Sequence, residues 1–400
     1  MITPVDGGVT APAGFRAAGV RCGIKKANLD LALVVPDGAA SAAGVFTTSK
    51  VQAAPVVVSK AHLARTGGLA SAVVVNSGCA NACTGPAGLE AAREMAAATA
   101  RRLGCPAEQV LVASTGVIGV QLDVTKVRTG IGDAAGRLSR DGHADAARAI
   151  MTTDPWPKAC AVAVDSSGAR FVVGGMAKGS GMIEPNMATM LAFLTTDARV
   201  APPVLGRALA EIVADTFNAI TVDGECSTND TVFALASGAS GVAIGEDRYA
   251  DLVAGLRAVA RELAIGIVRG GEGATKLVTV RVTGAASAAD ARQAARTIAN
   301  SLLVKTAIHG GDPNWGRLVA AAGRAGVACL PDRAAIRVGG IELFRDGVPH
   351  DDRAPAAAAH LAGAEIDIEV DLGTGATQQA TIWTCDLSAD YVKINAEYRT

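Results

Sequence analysis

The sequence predicts an α/β (α+β) protein, a layered sandwich of helices packed on mixed β-sheets, from three observations. Short β-rich runs alternate with helical stretches through the first half, and a second set of strands and helices follows residue 190. Half of the 400 residues are hydrophobic, mostly Ala and Val, and only 3% are aromatic. Small side chains of this kind suit closely approaching helices and sheets. At this length one large layered domain or two lobes is expected.

Taken in order, apolar β-branched runs predict strands at 73–75, 110–112, 161–164 and 171–173. The clearest helix is 87–103: Pro86 opens it, Ala, Leu and Met fill it, and Gly104 ends it. A buried strand is expected at 190–195, with helices near 206–217, 249–264 and 286–300. Val278, Val280 and Val282 share one face of a strand at 276–282. Asp312 and Pro313 read as the cap and first turn of a helix at 318–325. Residues 365–372 alternate acidic with apolar, which predicts a half-exposed antiparallel strand forming a hairpin with 379–385 through Gly373-Thr374-Gly375.

The net charge of −1 and the absence of long charge runs point away from nucleic acid and anionic membrane surfaces, toward a small ligand. The start of the chain lacks a basic segment leading into an apolar one, and no run reaches the length of a membrane span, so a cytoplasmic location is expected. Eight scattered cysteines without CxxC spacing read as buried thiols, and the five histidines have no metal-like spacing, so no metal is expected. Segments 174–180 and 270–276 are glycine-rich but lack Gly-Lys-Ser/Thr at a helix start, which a phosphate loop needs. His309, beside Gly310-Gly311-Asp312, reads as structural or solvated rather than as a pocket group.

Three kinds of segment carry chemistry. Ser114-Thr115-Gly116 follows an apolar run, so it falls at a strand end where backbone amides can converge on an oxyanion, as well as form an ordinary turn. Polar loops at 76–85 and 222–231 read equally as satisfied turns or pocket walls. The third is the Ala188-Thr189 step at the end of the block from Lys178, where a glycine-rich loop gives way to an apolar run. A threonine that begins a chain can use its own α-amine as the base for its hydroxyl, and cleavage after Ala188 would create that terminus. Alone, the same step is an ordinary strand start.

Taken together, these blocks resemble the ornithine acetyltransferase family, also called the bifunctional glutamate N-acetyltransferase or ArgJ family. The resemblance rests on 8–15, the Asn76 loop, Ser114-Thr115-Gly116, Met151-Thr152-Thr153-Asp154, Lys178 through Thr189, Ser227 through Thr231, Glu272 through Lys276, Asp312 through Arg317 and the tail from Tyr391 to Thr400. It implies a DmpA-like, ArgJ-like sandwich that cuts itself between Ala188 and Thr189 into an α chain, 1–188, and a β chain, 189–400, held as an α2β2 heterotetramer. It also implies Thr189 as nucleophile, Thr115 and Gly116 as the oxyanion hole, and Thr152, Lys178, Thr189, Glu272, Asn395 and Thr400 as substrate-binding positions. The implied reaction moves acetyl from N2-acetyl-L-ornithine to L-glutamate with no required cofactor, leaving acetyl-CoA open as a second donor. Two departures from the family pattern, Cys79 and Glu225-Cys226, bear on pocket detail. A self-cleaving aminopeptidase and a non-catalytic binding protein are the competing readings.

Overall fold

The structure, a computed structural model, describes residues 1–184 and 190–397. The chain divides into two compact units: Met1–Asn218 with Glu225–Ile267, and Ala219–Gly224 with Val268–Arg399. The expected 1–188 and 189–400 chains are a division by cleavage, and the division by packing runs elsewhere.

The first unit is built on two sheets. The seven-stranded sheet runs in the order Ile2–Val5, Lys158–Ser166, Ala169–Lys178, Leu191–Thr196, Thr231–Ala236, Ala40–Phe46 and Leu69–Ala70. The four-stranded sheet runs Phe15–Val20, Leu31–Pro36, Ala72–Cys79 and Val110–Val117. Their facing side chains form one apolar cluster, with Phe15, Val34, Val73, Val75 and Leu111 from one sheet and Met176, Leu191, Phe193, Phe233 and Leu235 from the other. Alternate residues of the same central strand, Ala72 and Val74, point away into a second cluster with Ala92, Met95 and Ile131 of the helices Gly85–Leu103 and Val124–Gly136. A strand buried on both faces carries no polar alternation, and 72–75 reads as an uninterrupted apolar run.

Helix Glu246–Arg269 covers the outer face of the seven-stranded sheet. A Cβ at Gly175 would sit 2.8 Å from Val259 Cγ1 and 2.9 Å from Leu263 Cδ1, so a glycine is what admits the helix at that depth. Helix, sheet, sheet and helix stack as layers, as the small-residue composition predicted. The glycines at 174 and 175 lie inside the strand Ala169–Lys178 rather than in a loop. Strands at 73–75, 110–112, 161–164 and 171–173 and the helix at 87–103 are all present within slightly longer elements.

The second unit holds a six-stranded sheet in the order Val348–Pro349, Ile341–Arg345, Ala335–Val338, Glu365–Asp371, Leu277–Ala285 and Gln378–Cys385, with helix Ala288–Ala299 packed on it. Val278, Val280 and Val282 are buried on one face, as their alternation requires. The expected hairpin is absent. Leu277–Ala285 lies between its two arms, parallel to Glu365–Asp371 and antiparallel to Gln378–Cys385. The intervening loop is instead tied to the end of that middle strand: the Leu372 N–H donates to Thr283 O at 3.0 Å and Thr374 Oγ1 to Gly284 O at 2.7 Å. Alternation fixes which face of a strand is buried but not which strand is its neighbour. A second correction concerns the helix expected at 318–325. It spans Trp315–Gly323, and its cap is Asn314, whose Oδ1 accepts the Arg317 N–H at 3.1 Å. Asp312 instead accepts from Asn314 Nδ2 at 3.0 Å.

Phe233 sits fully buried in the centre of the first core, with its ring 6.1 Å from Phe193 and edge-on to Phe46 at 5.8 Å. Phe233→Ala is expected to cost about 3 to 5 kcal/mol of stability, read as a lowered denaturant midpoint at unchanged slope.

Candidate functional site

Strand Val110–Val117 runs parallel to Ala72–Cys79, and their register slips at Gly78 and Cys79. The slip is where Thr115 and Gly116 lie. Gly116 has φ +128°, and a Cβ there would meet the Gly78 carbonyl carbon at 2.4 Å and Cys79 N at 2.6 Å. Only glycine fits that close approach of two backbones. A buried polar network holds the neighbouring strand ends. Ser114 Oγ donates to Asn76 Oδ1 at 2.6 Å, Asn76 Nδ2 to Cys79 O at 2.8 Å, and Asn229 Nδ2 to both Ala80 O and Ser114 O at 2.6 and 2.8 Å. The loops at 76–85 and 222–231 are thus joined through Asn229 rather than being separate turns. Cys79 is buried and donates to Val120 O at 3.3 Å, and burial pushes its thiol up, away from thiolate chemistry.

Lys178 ends strand Ala169–Lys178, is 6% exposed, and donates from Nζ to Thr115 Oγ1 at 3.2 Å. Its place is fixed by Asp154. That carboxylate accepts Lys158 Nζ at 2.6 Å, the Gly179 N–H at 2.7 Å and the Thr152 N–H at 3.1 Å. Burial alone would raise the Asp154 carboxyl, but the ammonium groups of Lys158 and Lys178 and the Gly179 N–H overcome it and hold it below the usual carboxylate range. Thr153 Oγ1 and Ser180 Oγ share a 2.6 Å hydrogen bond alongside. Thr115, Gly116, Thr152 and Lys178 are therefore brought into one neighbourhood of the first unit.

Lys25 belongs to the same neighbourhood and was not singled out from the sequence. Its Nζ donates to Met151 O at 3.0 Å, one residue before Thr152. Burial, and then the Lys178 ammonium, lower its pKa, while Asp30 and Asp154 oppose them. Three ammonium groups, those of Lys25, Lys158 and Lys178, here face two carboxylates, Asp30 and Asp154. Asp30 already accepts the N–H groups of Cys22, Gly23 and Lys25. Lysine ammonium groups in such a place suit an anionic ligand. The signal in the sequence was the i, i+4 spacing of Asp154 and Lys158; nothing local marked Lys25.

In the second unit, Asn395 Nδ2 donates to Glu272 Oε2 at 2.8 Å and to Tyr391 O at 3.0 Å. The Tyr391 hydroxyl donates to Asp223 Oδ2 at 3.2 Å, and Ser388 Oγ to Gly273 O at 2.6 Å. The turn after Glu272 is held by the buried Asp386, which accepts from Thr275 N and Oγ1 and from Lys276 N. His309 Nδ1 lies 2.7 Å from the same carboxylate, so this histidine is structural. Glu272 and Asn395 form one bonded pair. Ala188, Thr189 and Thr400 lie outside the described residues. Among the described residues no group of His, Cys, Asp and Glu is placed to hold a metal, and no helix is long and apolar enough to cross a membrane.

The ArgJ family model matches residues 16–400. Arginine biosynthesis bifunctional protein ArgJ of Symbiobacterium thermophilum is 50% identical over 400 residues, covering 98% of this chain and 99% of that protein. Its counterpart from a Synechococcus species is 50% identical over 409 residues, covering 99% and 98%. Among solved structures, ornithine acetyltransferase complexed with ornithine from Mycobacterium tuberculosis is 45% identical over 46% of this chain and 99% of that one, with a TM-score of 0.44.

Asp154→Asn leaves the Lys158 ammonium buried without a counter-charge and is expected to cost about 3 to 5 kcal/mol. Because the folded carboxyl is held low, its contribution is complete above the unfolded carboxylate range and is lost as pH falls through the folded value. Thermal unfolding of the wild type should therefore weaken from about pH 4 downward, and the Asp154→Asn curve should be flatter over that window.

Proposed function

The chain belongs to the ArgJ family, and on that premise we propose that it is the arginine-biosynthesis acetyltransferase that moves acetyl from N2-acetyl-L-ornithine to L-glutamate through an ester on Thr189. The observation that carries the reading is the place of Lys178. It donates to Thr115 beside Gly116, and in the antiparallel register it stands opposite Leu191, two residues beyond Thr189. The expected nucleophile is thus covalently tied to the strand whose neighbour presents the ammonium, and that ammonium donates to Thr115 of the expected oxyanion hole on the other sheet.

In this reading the precursor opens its own Ala188–Thr189 bond, and the α-amine of Thr189 takes the proton of its hydroxyl. Oγ attacks the acetyl carbonyl, and amides about Thr115 and Gly116 receive the oxyanion. Ornithine leaves, and the amine of glutamate attacks the ester, which returns the free hydroxyl. Both substrates carry an α-carboxylate, and the ammonium groups of Lys25 and Lys178 suit it. The Glu272 carboxylate, oriented by Asn395, is the proposed partner of a substrate ammonium. Thr152 and Thr400 complete the proposed binding set.

The chemistry is acyl transfer, so no metal or redox cofactor is part of the proposal. The relatives are named bifunctional, and acetyl-CoA as a second acetyl donor is the reading we attach to that name. An α2β2 assembly of the cut chains and a cytoplasmic location complete the proposal.

Intact mass and N-terminal sequencing of purified protein test the first step. A second amino terminus at Thr189 is expected in the wild type, and a single uncut chain without acetyl transfer in Thr189→Ala; a wild-type chain that never cuts would sink the mechanism. Acetyl appearing as free acetate faster than on glutamate would make the enzyme a hydrolase. Gly116→Ala forces a Cβ into the Gly78 backbone, and a loss of about a hundredfold or more in kcat is expected. N-acetylglutamate formed from acetyl-CoA without acetylornithine would establish the second donor.

A further inference from the structure

Strand Val110–Val117 is the last strand of its sheet, so one of its edges has no strand beside it. Alternate residues of a strand turn their N–H and C=O groups to the same edge. The even-numbered residues here face away from Ala72–Cys79, and side chains meet them. His62 Nδ1 lies 2.8 Å from Val110 O, Ser59 Oγ donates to Val112 O at 2.7 Å and accepts the Val112 N–H at 2.8 Å, and Asn229 Nδ2 donates to Ser114 O at 2.8 Å. The odd-numbered residues face the other way, and Val117 O accepts the Ala80 N–H at 3.0 Å. Gly116 is next in the even-numbered row, so its N–H is turned to the same edge as the Ser114 carbonyl.

Asn229 Nδ2 also donates to Ala80 O at 2.6 Å, and these bonds close a ring. It runs from Asn229 to Ser114 O, along the chain to Val117 O, across to the Ala80 N–H, and from Ala80 O back to the same side-chain nitrogen. Thr115 and Gly116 lie within the stretch of chain that the ring encloses. Gly116, at φ +128° and without a Cβ, holds its peptide only loosely by itself. Asn229 is 6% exposed and is fixed in turn by Thr228 Oγ1, which donates to its Oδ1 at 2.6 Å. We propose that Asn229 is the positioning residue of the Gly116 amide: by closing the ring it sets the direction in which that N–H meets a developing oxyanion, without touching the reacting atoms. The proposal rests on the reading of Thr115 and Gly116 as the oxyanion hole and adds the group that aims it. A donor already aimed needs no reorientation when charge develops, and a misdirected one is missed chiefly in the transition state. The loss of Asn229 therefore bears on kcat more than on KM.

The test uses the full chain carrying Asn229→Ala or Asn229→Ser, with Ser59→Ala as the control. Each is followed by intact mass, by thermal unfolding, and by kcat and KM for acetylornithine in cut protein, assayed well below every unfolding transition. Ser59→Ala removes two bonds from the same strand edge but outside the ring, so it should unfold at a lower temperature and keep the wild-type kcat. Asn229→Ala should also unfold lower and, in addition, lose about tenfold or more in kcat at nearly unchanged KM. Asn229→Ser keeps one shorter donor and should fall between Asn229→Ala and the wild type. A folded Asn229 variant that stays whole also supports the role, because opening a peptide bond passes through an oxyanion as well. Wild-type kcat in Asn229→Ala, or an equal loss in Ser59→Ala, would overturn the role of Asn229 and leave the Thr189 reading standing. Failure of both Asn229 variants to fold would reduce it to a structural residue. A wild-type chain that stays whole overturns both readings.

Discussion

The arrangement at the candidate site depends on one buried carboxylate. Asp154 has no exposed side-chain surface, and its oxygens are used by the Lys158 ammonium and by two backbone N–H groups, those of Thr152 and Gly179. A charge taken out of water is tolerable only when such partners meet it with good geometry, so the partners are fixed by the same requirement. One of them precedes Asp154 by two residues, another opens strand Lys158–Ser166, and the third directly follows Lys178. The position of the Lys178 ammonium is thus a consequence of satisfying Asp154. Thr115 then receives a hydrogen bond from that ammonium, and the strand end with Gly116 is joined to the same electrostatic unit.

The scaffold that permits this is made of small residues. The two sheets of the first unit meet through Ala17, Ala32, Ala42, Ala70 and Ala113 together with valines, with Phe15, Phe193 and Phe233 as the large members of the same core. Interiors are packed to near-crystalline density, and small side chains bring backbones together without leaving voids. The gain is seen at the strand ends, where Gly78 and Gly116 touch and where Asn76, Ser114 and Asn229 exchange hydrogen bonds with no water needed. Such a network has to be complete to be stable. The rigid strand ends and the polar loops between them are two aspects of one packing solution.

Much of this was legible in the sequence, and the parts that were not share a cause. Buried strands declared themselves as apolar runs at 73–75 and 110–112, and the helix Gly85–Leu103 through Pro86 and Gly104, because those signals are local. The placement of Thr115 and Gly116 at a strand end followed from the run before them. The hairpin between 365–372 and 379–385 was misread because pairing is decided by tertiary contacts, and the middle strand, Leu277–Ala285, is far away in sequence. The Asp312 cap was misread because two acceptors, Asp312 and Asn314, competed for one helix start, and the donor at Arg317 lies three residues beyond Asn314. Lys25, Asp154 and Asp230 owe their character to burial and to partners on other strands. No spacing rule reports that Lys25 reaches Met151 or that Asp230 holds Met190.

These charges also bear on how one site could run acyl transfer with a chain terminus as its base. An α-amine is largely protonated near neutral pH in water, and a protonated amine cannot accept the hydroxyl proton. On the proposed reading, one feature of the first unit opposes protonation of such an amine. The ammonium of Lys178, opposite Leu191, disfavours a second positive charge nearby. On the proposed reading, the ammonium that meets a substrate carboxylate therefore also favours a neutral amine. On that reading, binding and base strength are served together, and Asp154 fixes where Lys178, opposite Leu191, stands.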